Sequence, residues 1–142
     1  MATRFWEAGM GRTLVGRLAT GSDLVEEIER LCVVQQINAA WVSVIGAVRH
    51  AAFAYFDQAQ HKYIELASAT HHEIAGFIGN VSLREGKPYL HAHASFADEH
   101  GATVGGHLLR GNEVFVAEVQ IRELADLELV RQFDEETGLA LW

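Results

Sequence analysis

His91, His93 and His107 are the residues of this chain whose type and spacing could do chemistry together. They fall in the stretch LHAHASFADEHGATVGGHLL, residues 90 to 109. His91 and His93 stand at i and i+2, so on a strand both side chains leave the same face. A three-residue hairpin loop of Glu99, His100 and Gly101, with the glycine in the left-handed position, pairs Asp98 with Ala102. Counting back from that pair sets His93 directly opposite His107, with His91 one diagonal step away on the same face. Directly opposed Cβ atoms lie roughly 5 Å apart and diagonal ones roughly 7 Å. Three neutral imidazoles at such separations suit zinc or a similar divalent ion, and three protein ligands leave a coordination position for water or substrate. Gly105 and Gly106 carry no side chains beside His107 and leave room there. The competing reading is three hydrogen-bonded histidines at a subunit interface or in a partly buried cleft.

A carboxylate joins the cluster if the next turn is also tight. With Gly111-Asn112 as a two-residue hairpin turn, Val116 pairs with His107 and Glu118 lies one diagonal from it, on the same face. A carboxylate there would orient an imidazole or act as a base on a bound water, so Glu118 is the candidate catalytic residue. Both registers must hold, because a slip of one residue moves each side chain to the other face. His50, His61, His71, His72 and His100 fall near strand ends or turns and read as solvated. Glu73 reads equally as a buried, paired carboxylate or as an exposed strand start, and Arg49 as a surface ion pair ahead of an anion contact. Trp6, Trp41 and Trp142 read as core or interface anchors rather than a stacking platform. The sequence has no glycine-rich phosphate loop, nucleophile elbow or cysteine-based metal motif.

The elements that must position these residues follow from periodicity. GSDLVEEIERLCVVQQ has helical spacing, with Leu24, Ile28, Leu31 and Cys32 on one stripe, and predicts a helix over about 22–36. Asp23 with Glu26 resembles a capping arrangement, and Ser22 is the rival cap. Elsewhere the pattern is that of strands. GRTLVGRLAT, AAWVSVIGAV, HAAFAYFD, KYIELA and EIAGFIGNVSLRE are followed by strand candidates at 89–97, 103–109 and 113–123. Gly76 and Gly79 mark bulges or close backbone approach, and residues 85–88 form a turn. The tail LELVRQFDEETGLALW is ambiguous, its closing Leu139, Leu141 and Trp142 reading as an edge strand or an apolar anchor. One helix among roughly seven or eight strands joined by short turns implies an α+β fold, mainly an antiparallel sheet of about seven strands, in a single domain over residues 1–142.

Composition narrows the function classes. Eleven basic against nineteen acidic residues leave a formal charge of -8, the wrong sign for a domain that grips nucleic acid by itself. Cys32 stands alone, so no internal disulfide forms, which fits a reducing compartment. The N-terminus has no apolar segment of signal-peptide length, and no run approaches the roughly 20 apolar residues of a membrane span. The expectation is a soluble, cytoplasmic protein without membrane contact.

SVIGAVRHAAFAYFD, EIAGFIGNVSLREGKPYLHAHASFADEHGATVGGHLL and VFVAEVQIREL together resemble the plant and prokaryote conserved (PPC) domain, over roughly residues 10 to 137. That domain follows AT-hook segments in plant nuclear proteins and stands alone in prokaryotes. The resemblance rests on Gly-Asn-x-Ser, His-x-His and Gly-Gly-His-Leu elements in this order. It implies an α+β homotrimer, in some prokaryotic members with a metal on the histidines matching His91, His93 and His107. Glu118 matches the family's Ala-Glu-Val element and stays a candidate neighbour. An AT-hook needs a basic Arg-Gly-Arg-Pro-like core, which GRTLVGRL lacks, so direct DNA binding is not expected. The resulting order of functions is divalent-metal binding, zinc first, with a small molecule at or near the site; then a non-catalytic assembly module; then a DNA-associated or transcription-related role. Enzymatic activity is not assigned, because fold alone does not give function.

Overall fold

The computed structural model describes residues 3–142. The chain runs through β1 (Gly9–Arg17), α1 (Leu24–Gln35), β2 (Ala40–Val48), β3 (Ala51–Asp57), β4 (Lys62–Ser68), β5 (His72–Arg84), β6 (Lys87–Ala97), β7 (Thr103–Leu108), β8 (Val114–Ala125), β9 (Gln132–Asp134) and β10 (Leu139–Leu141). Strands β1 to β8 form one sheet in the order β1-β8-β2-β5-β6-β7-β3-β4, eight strands rather than about seven. Its neighbours all pair antiparallel. The ambiguous tail supplies the remaining pair, the short hairpin β9–β10.

The helix forms where its stripe predicts and is one to two residues shorter at each end. Asp23 is the cap: its Oδ1 accepts from the amides of Val25 and Glu26, both at 3.0 Å. Ser22 instead donates its hydroxyl to the Ala19 carbonyl. Glu26 does not close a capping box, because Arg110 holds its carboxylate at 2.9 Å. Gln36 ends the helix in a left-handed conformation, φ 57°. Leu24, Ile28 and Cys32 are fully buried and lie in one core with Val42, Val81, Leu90, Ala92, Phe96, Val114 and Ile121 of the sheet. These strand residues alternate with polar or exposed ones, so the helix covers one face of the sheet and leaves the other open.

Glycines permit two close strand approaches. In β2, Gly46 has φ +144° and a Cβ there would sit 2.1 Å from the Val116 carbonyl oxygen. The register of β2 against β5 shifts just before it, between Val42 and Gly46. Gly76 sits at a register shift between β5 and β6, and a Cβ on Gly79 would meet Ala92 at 2.8 Å, so both glycine expectations hold. Glu85 and Gly86 turn the chain with positive φ and bring Arg84 opposite Lys87. Among the described residues no helix is long and apolar enough to cross a membrane.

Candidate metal centre

The first hairpin register holds residue for residue. Asp98 donates its amide to the Ala102 carbonyl at 2.9 Å, and Gly101 takes the left-handed conformation at φ +77°. The Asp98 Oδ1 accepts from the amides of His100 and Ala102, both at 2.9 Å, which pins the loop. These amides hold the Asp98 carboxyl below its ordinary value. From that loop β6 and β7 zip back, Ala97 against Thr103, to place His93 directly opposite His107. Leu90, Ala92, Ala94 and Phe96 of β6 turn into the core, which sends His91 and His93 to the open face.

Three imidazoles meet there. Ring centroids are 5.4 Å apart for His91 and His93, 5.1 Å for His91 and His107, and 5.7 Å for His93 and His107. One ring nitrogen from each lies within 4.8 Å of the others. A tetrahedral zinc at about 2.0–2.1 Å from each nitrogen separates them by about 3.4 Å, so small ring rotations close the set around an ion. His91 and His107 are half-buried, and burial pushes their imidazoles down to about 4, helped by Arg131 and by the neighbouring histidines. Both are therefore neutral at neutral pH, the form that ligates. The donor set fits a divalent transition metal. Tyr63 of β4 packs its ring 4.7 Å from that of His107 and walls one side.

The glycines beside His107 do more than leave room. A Cβ on Gly105 would lie 2.1 Å from the Ala94 carbonyl oxygen, and one on Gly106 would lie 2.5 Å from that of Ala54. They let the backbones of β6 and β3 close on β7, so that the third histidine is held from both sides.

Glu118 is not in this cluster. The expected pairing of Val116 with His107 does not form, because β7 and β8 are not neighbours: β2, β5 and β6 stand between them. Four strand spacings amount to about 19 Å along the sheet. Glu118 is exposed on β8, opposite Arg17 and Ile45. Gly111-Asn112 is a crossover anchor rather than a local turn. Asp23 Oδ2 accepts from both of their amides, and the buried Asn112 side chain bonds the Ala52 backbone and the Leu109 carbonyl. That network carries the chain beneath the helix start and across the sheet.

The other candidates separate cleanly. Arg49 pairs with Glu113 and covers the Phe115 ring at 5.7 Å, an ion pair as expected. Glu73 is exposed. His72 departs from the solvated reading: it is 5% exposed, and its Nε2 bonds Ser68 and Thr70. Trp6 and Trp142 pack edge to face with centroids 5.6 Å apart, which ties the tail down.

Sequence reasoning missed Arg131. It is 9% exposed and donates to Ser82 Oγ at 2.7 Å, Asn80 Oδ1 at 2.9 Å and the Ala140 carbonyl at 2.9 Å. Asn80 and Ser82 belong to the Gly-Asn-x-Ser element, which offered a signal that something polar must meet this strand. Arg131, Arg84, Tyr63 and Tyr89 line a cavity of about 270 Å³ that His91 and His107 border and β10 closes.

Known proteins share this architecture. Residues 6–125 match the family model of the Plants and Prokaryotes Conserved (PCC) domain. The chain is 38% identical to a metal-containing protein from Archaeoglobus fulgidus, with a TM-score of 0.94 and 99% of each chain covered. It is 34% identical to a plant- and prokaryote-conserved (PPC) protein of Pyrococcus horikoshii, with a TM-score of 0.93, covering 99% of this chain and 96% of that one. A candidate DNA-binding protein from Ralstonia eutropha is 26% identical, with a TM-score of 0.79 over 89% of this chain and 88% of that one. The bifunctional protein GlmU of Synechococcus sp. (strain JA-3-3Ab) matches 86% of this chain at 31% identity, and the match spans 19% of that protein's own length.

Proposed function

We propose, for a chain that belongs to the Plants and Prokaryotes Conserved domain family, that it holds one divalent transition-metal ion on His91, His93 and His107 and offers the ion's open position to a small molecule. The observation that carries this reading is the convergence of three ring nitrogens within 4.8 Å on the open sheet face. The likeness to a metal-containing protein of the same fold at 38% identity supports it. Zinc is the first choice, since three histidines with a free fourth position suit it, and a zinc-bound water is acidified toward neutrality. In this reading the family's homotrimer forms through the open face, which exposes Val15, Trp41, Ile45 and Ile78.

Metal per chain, measured by mass spectrometry on untagged protein purified without chelator or added metal, tests the site. About one transition ion per chain, lost in a folded His107→Ala variant, is the expected result. Full metal content in that variant overturns the ligand assignment.

A DNA-associated role is the second reading, favoured by the likeness to the Ralstonia protein. It predicts salt-sensitive binding to duplex DNA. The formal charge of -8 opposes it, and absence of a mobility shift at low salt removes it.

A further inference from the structure

The cavity beside the histidines gathers positive charge in an acidic chain. Arg12, Arg30, Arg49 and Arg110 each meet a glutamate. Among the described residues Arg131 and Arg84 meet no acidic side chain, although they face the same space. The Arg84 guanidinium lies 5.1 Å from the centroid of Tyr89 and that of Arg131 lies 5.4 Å from it, so two cations flank one ring. Burial and the nearby Arg84 both disfavour the charge on Arg131. A guanidinium keeps that charge in proteins, so the cost is carried by the fold unless an anion offsets it. Its three hydrogen bonds are all to neutral acceptors and use three of about five N–H donors. Asn80 and Ser82 thus hold the fork in place without neutralising it.

We infer that this cavity is a carboxylate subsite: it takes a small organic acid whose carboxylate lies against Arg131 and Arg84 and which turns a second oxygen donor toward His91 and His107. A planar guanidinium matches a carboxylate in two-point geometry, and Arg84 at the mouth adds a second cation. Phe133, Leu139 and Leu141 give the remaining wall an apolar lining. A cavity of about 270 Å³ equals about nine water volumes of roughly 30 Å³ each. That size suits a small organic acid. The hairpin that closes the cavity, β9–β10, follows the residues 6–125 that match the family model. The contact with His91 and His107 rests on the metal reading above; the carboxylate contact does not.

The test titrates salicylate, with neutral salicylamide as control, into full-length protein in zinc-loaded and chelator-treated forms by calorimetry. Salicylate binds in both forms, tighter with zinc, and salicylamide binds at least about tenfold more weakly. Arg84→Gln, an exposed position, lowers salicylate affinity by about tenfold in both forms with unchanged circular dichroism. Arg131→Lys, which keeps the charge but loses the fork, does the same. Equal binding of acid and amide, or an unchanged affinity in Arg84→Gln, overturns the subsite. Arg84-dependent binding in a protein that takes up no zinc upholds the subsite and removes the metal reading. Normal zinc uptake without salicylate binding does the reverse.

Discussion

His107 sits between two kinds of neighbour. On one side His91 and His93 bring ring nitrogens within 4.8 Å of its own; on the other Tyr63 packs against its ring. Losing an outer-sphere partner of a metal ligand typically costs about 10–100-fold in affinity, so losing a ligand costs more. His93→Ala and His107→Ala are each expected to lower zinc affinity by over about 100-fold in competition with a chromophoric chelator. Glu118→Gln is expected to leave that affinity unchanged, because two strands separate β8 from the strand of His91 and His93 and three separate it from that of His107. A loss in Glu118→Gln matching that of His93→Ala would show that Glu118 reaches the ion in the assembled protein. The histidine triad was legible from sequence because one tight loop, readable from Gly101, fixes the register of a short hairpin. Arg131 was not, because nothing local marks which arginine of a chain will be buried; only the packing of the tail against β5 does so.

The hairpin β6–β7 is the element on which the site depends, and it is built to one register. Gly105 touches the β6 backbone so closely that any side chain must push the strands apart. Gly105→Ala is expected to destabilise the fold by about 2–3 kcal/mol and to weaken metal binding together with it, read by thermal unfolding and chelator competition. Asp98 contributes a pH-dependent part. Its folded-state pKa lies below the ordinary 3.8, so its stabilisation is complete above that value and is lost as pH falls through the lower folded one. Asp98→Asn keeps the acceptors without the charge. The gap in Tm between wild type and Asp98→Asn should therefore narrow as the pH is taken from neutral to well below 3.8. A gap that stays constant across that range would assign the loop's stability to hydrogen bonding alone. The helix and the positions of the strands followed from periodicity, although the sheet has eight strands rather than about seven; the β7–β8 crossover did not. Gly111-Asn112 has the composition of a tight turn, and the partners that recruit it, Asp23 and Ala52, are 88 and 60 residues away in the chain.

At the scale of the whole molecule, one face of the sheet is covered by α1 and the other is left apolar in patches. Val15 is 76% exposed, Ile45 64% and Ile78 65%, while Ile78 pairs directly with His93. Isolated exposed apolar residues are ordinary, but several on one sheet face mark a surface that a partner buries. The proposed trimer would bury this face and bring the metal site close to the interface. All three histidines nevertheless belong to a single chain, so in that reading they hold the ion without the neighbours. Ile45→Asp places a charge at the centre of the open face and leaves the core side of β2 untouched. Light scattering should then give the mass of one chain in place of three, while metal content stays near one ion per chain. An unchanged mass would locate the assembly surface elsewhere. A mass of one chain with the metal lost would mean that a neighbouring subunit completes the site, and would return attention to Glu118 as a group donated across the interface.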